Sequence, residues 1–277
     1  MSLNSVNTNA GAMIALQSLA AINRDLSDTL RHISTGLAIS SPKDNPAVWA
    51  IAQRQRAESS SLNAVRDSLQ RGRSITDIAL SAGDTVVDLL GQMKTKMLAA
   101  ADTSLSTASR VALNNDYLTL KRQIDRTVGN AEFGGVNLIS SGSVGQIRAL
   151  ANADASDTVD IDHVDLSTTG SALSGMPADL LSAPITGTEI KAMSAAMENV
   201  TSALARLGTG SFALESHQTF IDKLQDTLDT SVGRLVDADM AKESTKLQAL
   251  QIKQQLAIKS LAIANSGTAY LLKLFGR

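Results

Sequence analysis

Histidine, carboxylate and arginine are the side chains here that could do chemistry, and their spacing decides which kind. His32, His163 and His217 stand in three separate segments, none belongs to an HExxH pair, and the chain has no cysteine. A metal centre needs several such donors at fixed spacings, so no metal, cofactor or catalytic constellation is expected and the chain reads as a non-enzyme. Asp237, Asp239 and Glu243 could face a cation, but acidic residues ahead of a helix are ordinary caps that complement its dipole, and either aspartate could fill that place. Lys43 and Asp44 suit solvated turn residues and subunit contacts about equally. His217 falls on an apolar seam, where a hydrogen-bonded, half-buried imidazole is the ordinary reading rather than a pH switch. Arg54, Arg56, Arg66, Arg71 and Arg73 outnumber Glu58 and Asp67, a local charge of +3. No aromatic residues interleave with them to stack on bases, and the net charge is −2, so a solvated face or salt links are favoured over nucleic acid.

The elements that must position these groups are helical. Hydrophobic residues make up 43% of the chain but aromatics only 3%, so the apolar content is Ala, Leu, Ile, Val and Met, a helix-forming set. From Leu16 the positions Leu16, Leu19, Ile22, Leu26, Leu30, Ile33 and Leu37 advance in steps of three and four, near the period of a coiled-coil seam. Gly36 marks an end, and Asn45 followed by Pro46 caps and opens the next helix. That helix tolerates Gly72 and continues through Met97; "ADTSLSTAS" breaks it, and a shorter helix returns through Leu113 to Val128. "EFGGVNLI" reads as a hairpin turn. Residues 141–185 carry six aspartates against Arg148 alone, and "DTVDIDHVDLS" alternates as a strand does, which predicts a small, acidic, solvent-facing β insertion of modest stability. Thr186 and Glu189 stand in capping-box spacing before another helix, which Gly208 is expected to close; a last amphipathic helix runs to the C-terminus. Gly83 permits close packing or a bend. The fold class is therefore mainly α: a long antiparallel helical bundle or coiled coil formed by paired N- and C-terminal regions, with a small β hairpin and a short β-rich insertion.

Neither terminal helix should stand alone, because burying one apolar stripe returns less than the roughly 1–2 kcal/mol per residue that ordering the backbone costs. Facing one stripe with the other solves part of this. Ile252, Leu256 and Ile263 fall off the simple seam, so partners outside the chain are implied. A membrane-active helix would carry Lys and Arg along one polar face with Trp at its boundary; Trp49 stands alone beside a turn and the last helix mixes charges, so no membrane partner is expected.

Five stretches occur together: "LNSVNTNAGAMIALQSL", "ISTGLAISSPKDNPAVWAIAQ", "LQRGRSITDIALSAGD", "EFGGVNLI" and "LVDADMAKESTKLQALQIKQQLAIKSLAIAN" with "LLKLF" after it. In this order they resemble bacterial flagellin, over roughly residues 1–140 and 186–277, and the short middle resembles the compact flagellins of alphaproteobacteria. The resemblance implies an inner coiled-coil layer from residues 1–45 and 233–277, a helical core domain from 46–140 and 186–232, and a variable surface insertion at 141–185. It implies a structural filament subunit for swimming motility, secreted without an ordinary signal peptide and located in the extracellular flagellum. The alternative is a hook-filament junction (hook-associated) protein with the same terminal architecture. Implied partners are further copies of the chain and paralogous flagellins, a flagellin export chaperone, the type III export apparatus, and hook-associated and cap proteins. Polymerisation is expected to use Leu19, Ile22, Leu26, Leu30, Ile33, Leu247, Leu250, Leu256, Leu261, Leu271, Leu272, Leu274 and Phe275. In the stretch where many flagellins are read by an innate immune receptor, Gln92 replaces an Arg and Lys96 a Leu, which puts that recognition in doubt.

Overall fold

The computed structural model describes residues 9–142, 145–182 and 184–275, with side chains described as far as Ser266 at the C-terminal end. Among them are five α-helices: α1 (Ala10–Thr35), α2 (Pro46–Ala100), α3 (Thr107–Asn130), α4 (Gly187–Val236) and α5 (Met240–Phe275). Strands β1 (Gln146–Leu150) and β2 (Thr158–Asp162) pair antiparallel, with Arg148 opposite Asp160. The chain divides into two compact units, one of residues 1–57 with 227–277 and one of residues 58–226.

In the first unit, local chemistry sets the helix ends. Asn9 Oδ1 accepts the Ala12 N–H and caps α1; Gly36, with φ of 72°, ends it in the left-handed conformation that glycine adopts without a Cβ clash. Asn45 Oδ1 accepts the Val48 N–H, so α2 opens at Pro46 as the sequence predicts. Asp239, not Asp237, caps α5, accepting from the Ala241 and Lys242 N–H groups. Asp237 instead stands in a bridge opposite Leu37. Around that bridge the Ala38 N–H donates to Val236 O at 2.7 Å and the Ala238 N–H to Gly36 O at 2.8 Å. The connector after α1 is thus stitched to the turn between α4 and α5. Beneath it Ala52, Val232 and Val236 form a small core covered by Leu37, Ile39, Val48 and Leu235.

The second unit holds the larger core. Leu69, Val86, Leu90, Met93 and Met97 of α2, Tyr117 and Ile124 of α3, and Met193, Val200, Leu207, Leu214 and Ile221 of α4 are buried. Gly83 answers the question it raised: a Cβ there would stand 2.1 Å from Leu204 Cδ2, so the glycine admits close packing of α2 against α4. The Glu189 half of the capping box forms, with Glu189 Oε2 accepting the Thr186 N–H at 2.7 Å, while the Thr186 hydroxyl donates to the same carboxylate and accepts the Thr188 N–H at 3.2 Å. The bonds this carboxylate accepts, the hydroxyl's first, hold the Glu189 carboxyl below its ordinary pKa. Gly134 and Gly135, both at positive φ, make the tight turn of the Phe133–Val136 bridge.

Two expectations need correction here. Gly208 does not close a helix; α4 runs unbroken through Gly208 and Gly210, because Leu207, Leu214 and Ile221 keep one buried heptad face across them. Glycine in a helix costs about 1 kcal/mol, and Gly210 has a use that offsets it: a Cβ there would stand 3.2 Å from the Ile161 side chain of β2. The middle segment is likewise not simply solvent-facing. Its aspartates are mostly exposed, but Ala149, Ile161, Leu166, Leu173 and Leu180 are buried, and Gly72 lies against Ala149 and Ile147 of β1. Hydrogen bonds anchor it: the Tyr117 hydroxyl donates to Pro177 O at 2.8 Å, the Leu180 N–H to Asn114 Oδ1 at 2.7 Å, and Thr168 binds both carboxylate oxygens of Asp125. A composition rich in Ser and Asp hides these few apolar anchors, since periodicity reveals only faces that repeat.

Candidate assembly interface

The three histidines have structural partners. His217 Nε2 donates to Ala151 O at 2.6 Å and the ring lies beside Phe220, so it ties α4 to the end of β1. His163 Nε2 donates to Ser140 O at 2.7 Å. His32 Nδ1 lies 3.4 Å from Glu243 Oε1, across from α1 to α5. Among the described residues no three His, Cys, Asp or Glu could hold a metal, and no helix is long and apolar enough to cross a membrane. Asp44 is committed to the connector: its carboxylate accepts the Ser40 and Ser41 N–H groups, both at 2.9 Å, and Arg31 at 2.8 Å. Partial burial pulls its pKa up, but these bonds and the Arg31 charge outweigh it and leave the carboxyl below its ordinary value. Arg73 faces Asp77 and Glu215, at 3.8 and 3.5 Å, which assigns that arginine to salt links within the chain.

What remains unspent is the apolar surface of α1 and α5. Asn9 Nδ2 donates to Ala264 O, Gln254 Nε2 to Asn23 Oδ1, and His32 meets Glu243, so the two helices run antiparallel. The sheltered positions on α1 include Ala12, Ala15, Leu19, Ile22, Leu26, Thr29 and Ile33, with Ala21, Arg31 and His32 beside them, and those on α5 are Glu243, Leu247, Leu250, Gln254, Ala257, Leu261 and Ala264. Both series alternate steps of three and four, the heptad seam of a coiled coil. The predicted stripe is therefore split. Leu19, Ile22, Leu26 and Ile33 lie in the seam, Leu37 joins the connector core, and Leu16 and Leu30 are exposed. Reading only large apolar residues skipped Ala12, Ala15 and Thr29, whose small size lets the helices approach; the strict three-four alternation was the signal that could have found them.

Outside the seam the large side chains face away. Met13, Ile14, Leu16 and Leu30 on α1 and Ile252, Leu256, Ile258 and Ile263 on α5 are exposed. Of the expected polymerisation residues, Leu250 is buried, Leu247 and Leu261 are half-buried, and Leu30 and Leu256 are exposed; the side chains of Leu271, Leu272, Leu274 and Phe275 lie outside the described residues. Gln92 is exposed, and Lys96 Nζ pairs with Asp116 at 2.7 Å.

A helix pair whose seam mixes alanines with leucines and isoleucines, and which leaves further large apolar side chains in water, presents a surface suited to cover by other chains. The comparisons agree. Residues 6–143 match the bacterial flagellin N-terminal helical region and residues 190–275 the bacterial flagellin C-terminal helical region. The chain is 50% identical over 281 residues to flagellin FljK of Caulobacter vibrioides, covering 99% of this chain and 100% of the relative. It is 34% identical to a flagellin of Brucella melitensis, covering 98% and 99%. Among solved structures it is similar to Bacillus cereus flagellin, with a TM-score of 0.50 and 20% identity over 56% of this chain and 88% of the other. It is similar also to a Vibrio parahaemolyticus protein described as flagellar hook-associated, with a TM-score of 0.54 and 14% identity over 70% of this chain and all of the other. At those identities the two structures speak for the fold alone. The chain belongs to the bacterial flagellin family.

Proposed function

We propose that this chain polymerises into the bacterial flagellar filament through the outward apolar face of its paired terminal helices. The observation that carries this is the large apolar surface left outside the α1–α5 seam: Ile252, Leu256 and Ile263 stand 59%, 60% and 72% exposed although the seam already shelters Leu19, Ile22, Leu26, Ile33, Leu247, Leu250 and Leu261. An isolated chain gains nothing from presenting those residues to water; a neighbour that covers them supplies a hydrophobic driving force for association. The contact joins two different surfaces, a heterologous arrangement that continues into a filament.

In this reading the seam residues Leu19, Ile22, Leu26, Ile33, Leu247, Leu250 and Leu261 hold the pair together, and Leu30 and Leu256 meet neighbours. The terminal cluster Leu271, Leu272, Leu274 and Phe275 belongs to the same contact set by its apolar character. The filament lies outside the cell, includes paralogous flagellins, and meets hook-associated and cap proteins; an export chaperone and the type III export apparatus deliver the subunit. No catalytic step is part of this role. The test is sedimentation and negative-stain microscopy of the purified chain before and after adding filament seeds. Long filaments are expected; growth that stops at short rings would favour the hook-associated reading instead.

A further inference from the structure

The seam between α1 and α5 repeats itself. A slide of seven residues, about 10.5 Å along a helix, carries Leu19 to the place of Leu26 and Ala257 to that of Ala264, so apolar packing alone admits more than one register. Two cross-helix polar pairs break the repeat. Gln254 Nε2 donates to Asn23 Oδ1 at 2.7 Å in an exposed contact, and His32 Nδ1 stands 3.4 Å from Glu243 Oε1, the His32 and Glu243 side chains being only 16% and 14% exposed. Glu243 Oε2 is buried and lacks a partner in the described structure, as does Thr29 Oγ1 between the same helices. A carboxylate this sheltered tolerates one arrangement well and others poorly. If the helices slide by one heptad, the position that His32 occupied opposite Glu243 passes to Asp25 in one direction and to Ile39, beyond the end of α1, in the other.

We propose that the Asn23–Gln254 and His32–Glu243 pairs are specificity determinants: they hold α1 and α5 of one chain in a single antiparallel register and stop α5 from pairing with the terminal helices of a second copy. This rests on the filament reading, because a lattice crowded with identical apolar helices is where wrong-partner pairing arises; the sheltered His32–Glu243 contact discriminates by penalising the wrong partner, and the exposed Asn23–Gln254 bond adds a directional contact that only one register can make. The pairs act through position and touch no neighbouring subunit in this assignment.

The chain has no cysteine, so an engineered pair reports register without background. Ala12→Cys with Ala264→Cys reads the native register, since Ala264 lies beside Gly11 and Asn9; Ala12→Cys with Ala257→Cys reads a one-heptad slide. With a short thiol crosslinker in seeded filaments, the native pair should give at least about tenfold more intramolecular product than the shifted pair, because the register difference exceeds the crosslinker's reach. In the background of Asn23→Leu, His32→Leu, Glu243→Leu and Gln254→Leu, which adds apolar surface and keeps helix formers, the preference should collapse and crosslinked dimers should rise. His32→Glu with Glu243→Arg, a reversed pair, should restore the native pattern. Retention of the full preference in the fourfold leucine variant, or failure of the reversed pair to restore it after collapse, would overturn the proposal. Failure of the wild-type chain to elongate on seeds would defeat the filament reading instead, and the crosslink ratio in soluble chains would still decide this one.

Discussion

Replacing Ile252, Leu256 and Ile263 together by alanine probes the outward face of α5 without weakening its helix, since alanine has the highest helix propensity. Each change removes three carbons, worth about 0.8 kcal/mol apiece on full burial. Scaled by exposures of 59%, 60% and 72%, the set could contribute up to about 4.5 kcal/mol per subunit to assembly. Every 1.4 kcal/mol is a factor of ten, so the critical concentration for elongation should rise by up to about three decades. Partial coverage by neighbours reduces the shift in proportion, and a rise of at least tenfold is expected. The assay is seeded elongation over a concentration series, followed by sedimentation, with circular dichroism of the soluble chain as control. Because these side chains are exposed, the melting transition of the soluble chain should stay where it is. An unchanged elongation threshold would refute the assignment of this face to intersubunit contact. A lowered melting temperature would show that the residues serve an internal core.

The Tyr117 hydroxyl is buried and donates to Pro177 O; burial, then the Asp179 carboxylate, push its pKa up to about 12. The folded value lies above the ordinary one near 10, so this stabilisation is complete below about pH 10 and is lost as pH rises through about 12. Tyr117→Phe should cost about 1 kcal/mol at neutral pH and flatten the alkaline fall in stability, both measured by denaturant unfolding. Replacing residues 145–180 by a short Gly linker removes Ile161, Leu166, Leu173 and Leu180 from the core, at about 2 kcal/mol each, and should lower the melting temperature markedly; an unchanged transition would show that the segment is an independent decoration. Gly83→Val should destabilise by about 1–3 kcal/mol through Leu204, and less in a Leu204→Ala background, as a double-mutant cycle would show. In a receptor reporter assay the soluble chain should signal weakly, and Gln92→Arg with Lys96→Leu should raise its potency at least tenfold, as each restored contact is worth about 1–3 kcal/mol.

Helix ends were legible from residue order because caps act within a single turn. Asn45 with Pro46, Gly36, and Thr186 with Glu189 each do locally what their spacing announces. The off-seam character of Ile252, Leu256 and Ile263 was equally readable, since a 3.6-residue period fixes which side chains share a face. Periodicity could not say whether Leu30 or Thr29 would enter the seam: that depends on how closely a partner helix more than 200 residues away can approach, which is what the His32–Glu243 and Asn23–Gln254 contacts record. Gly83 was left open, and Gly208 was misread as a helix end, for the same reason. A glycine reads alike as a break or as a space, and only the neighbour that fills the space, Leu204 beside Gly83 and Ile161 beside Gly210, distinguishes them. The buried anchors of residues 141–185 also depend on distant partners: isolated apolar side chains among serines and aspartates form no pattern along the chain, and they become a core when α2, α3 and α4 supply the other walls.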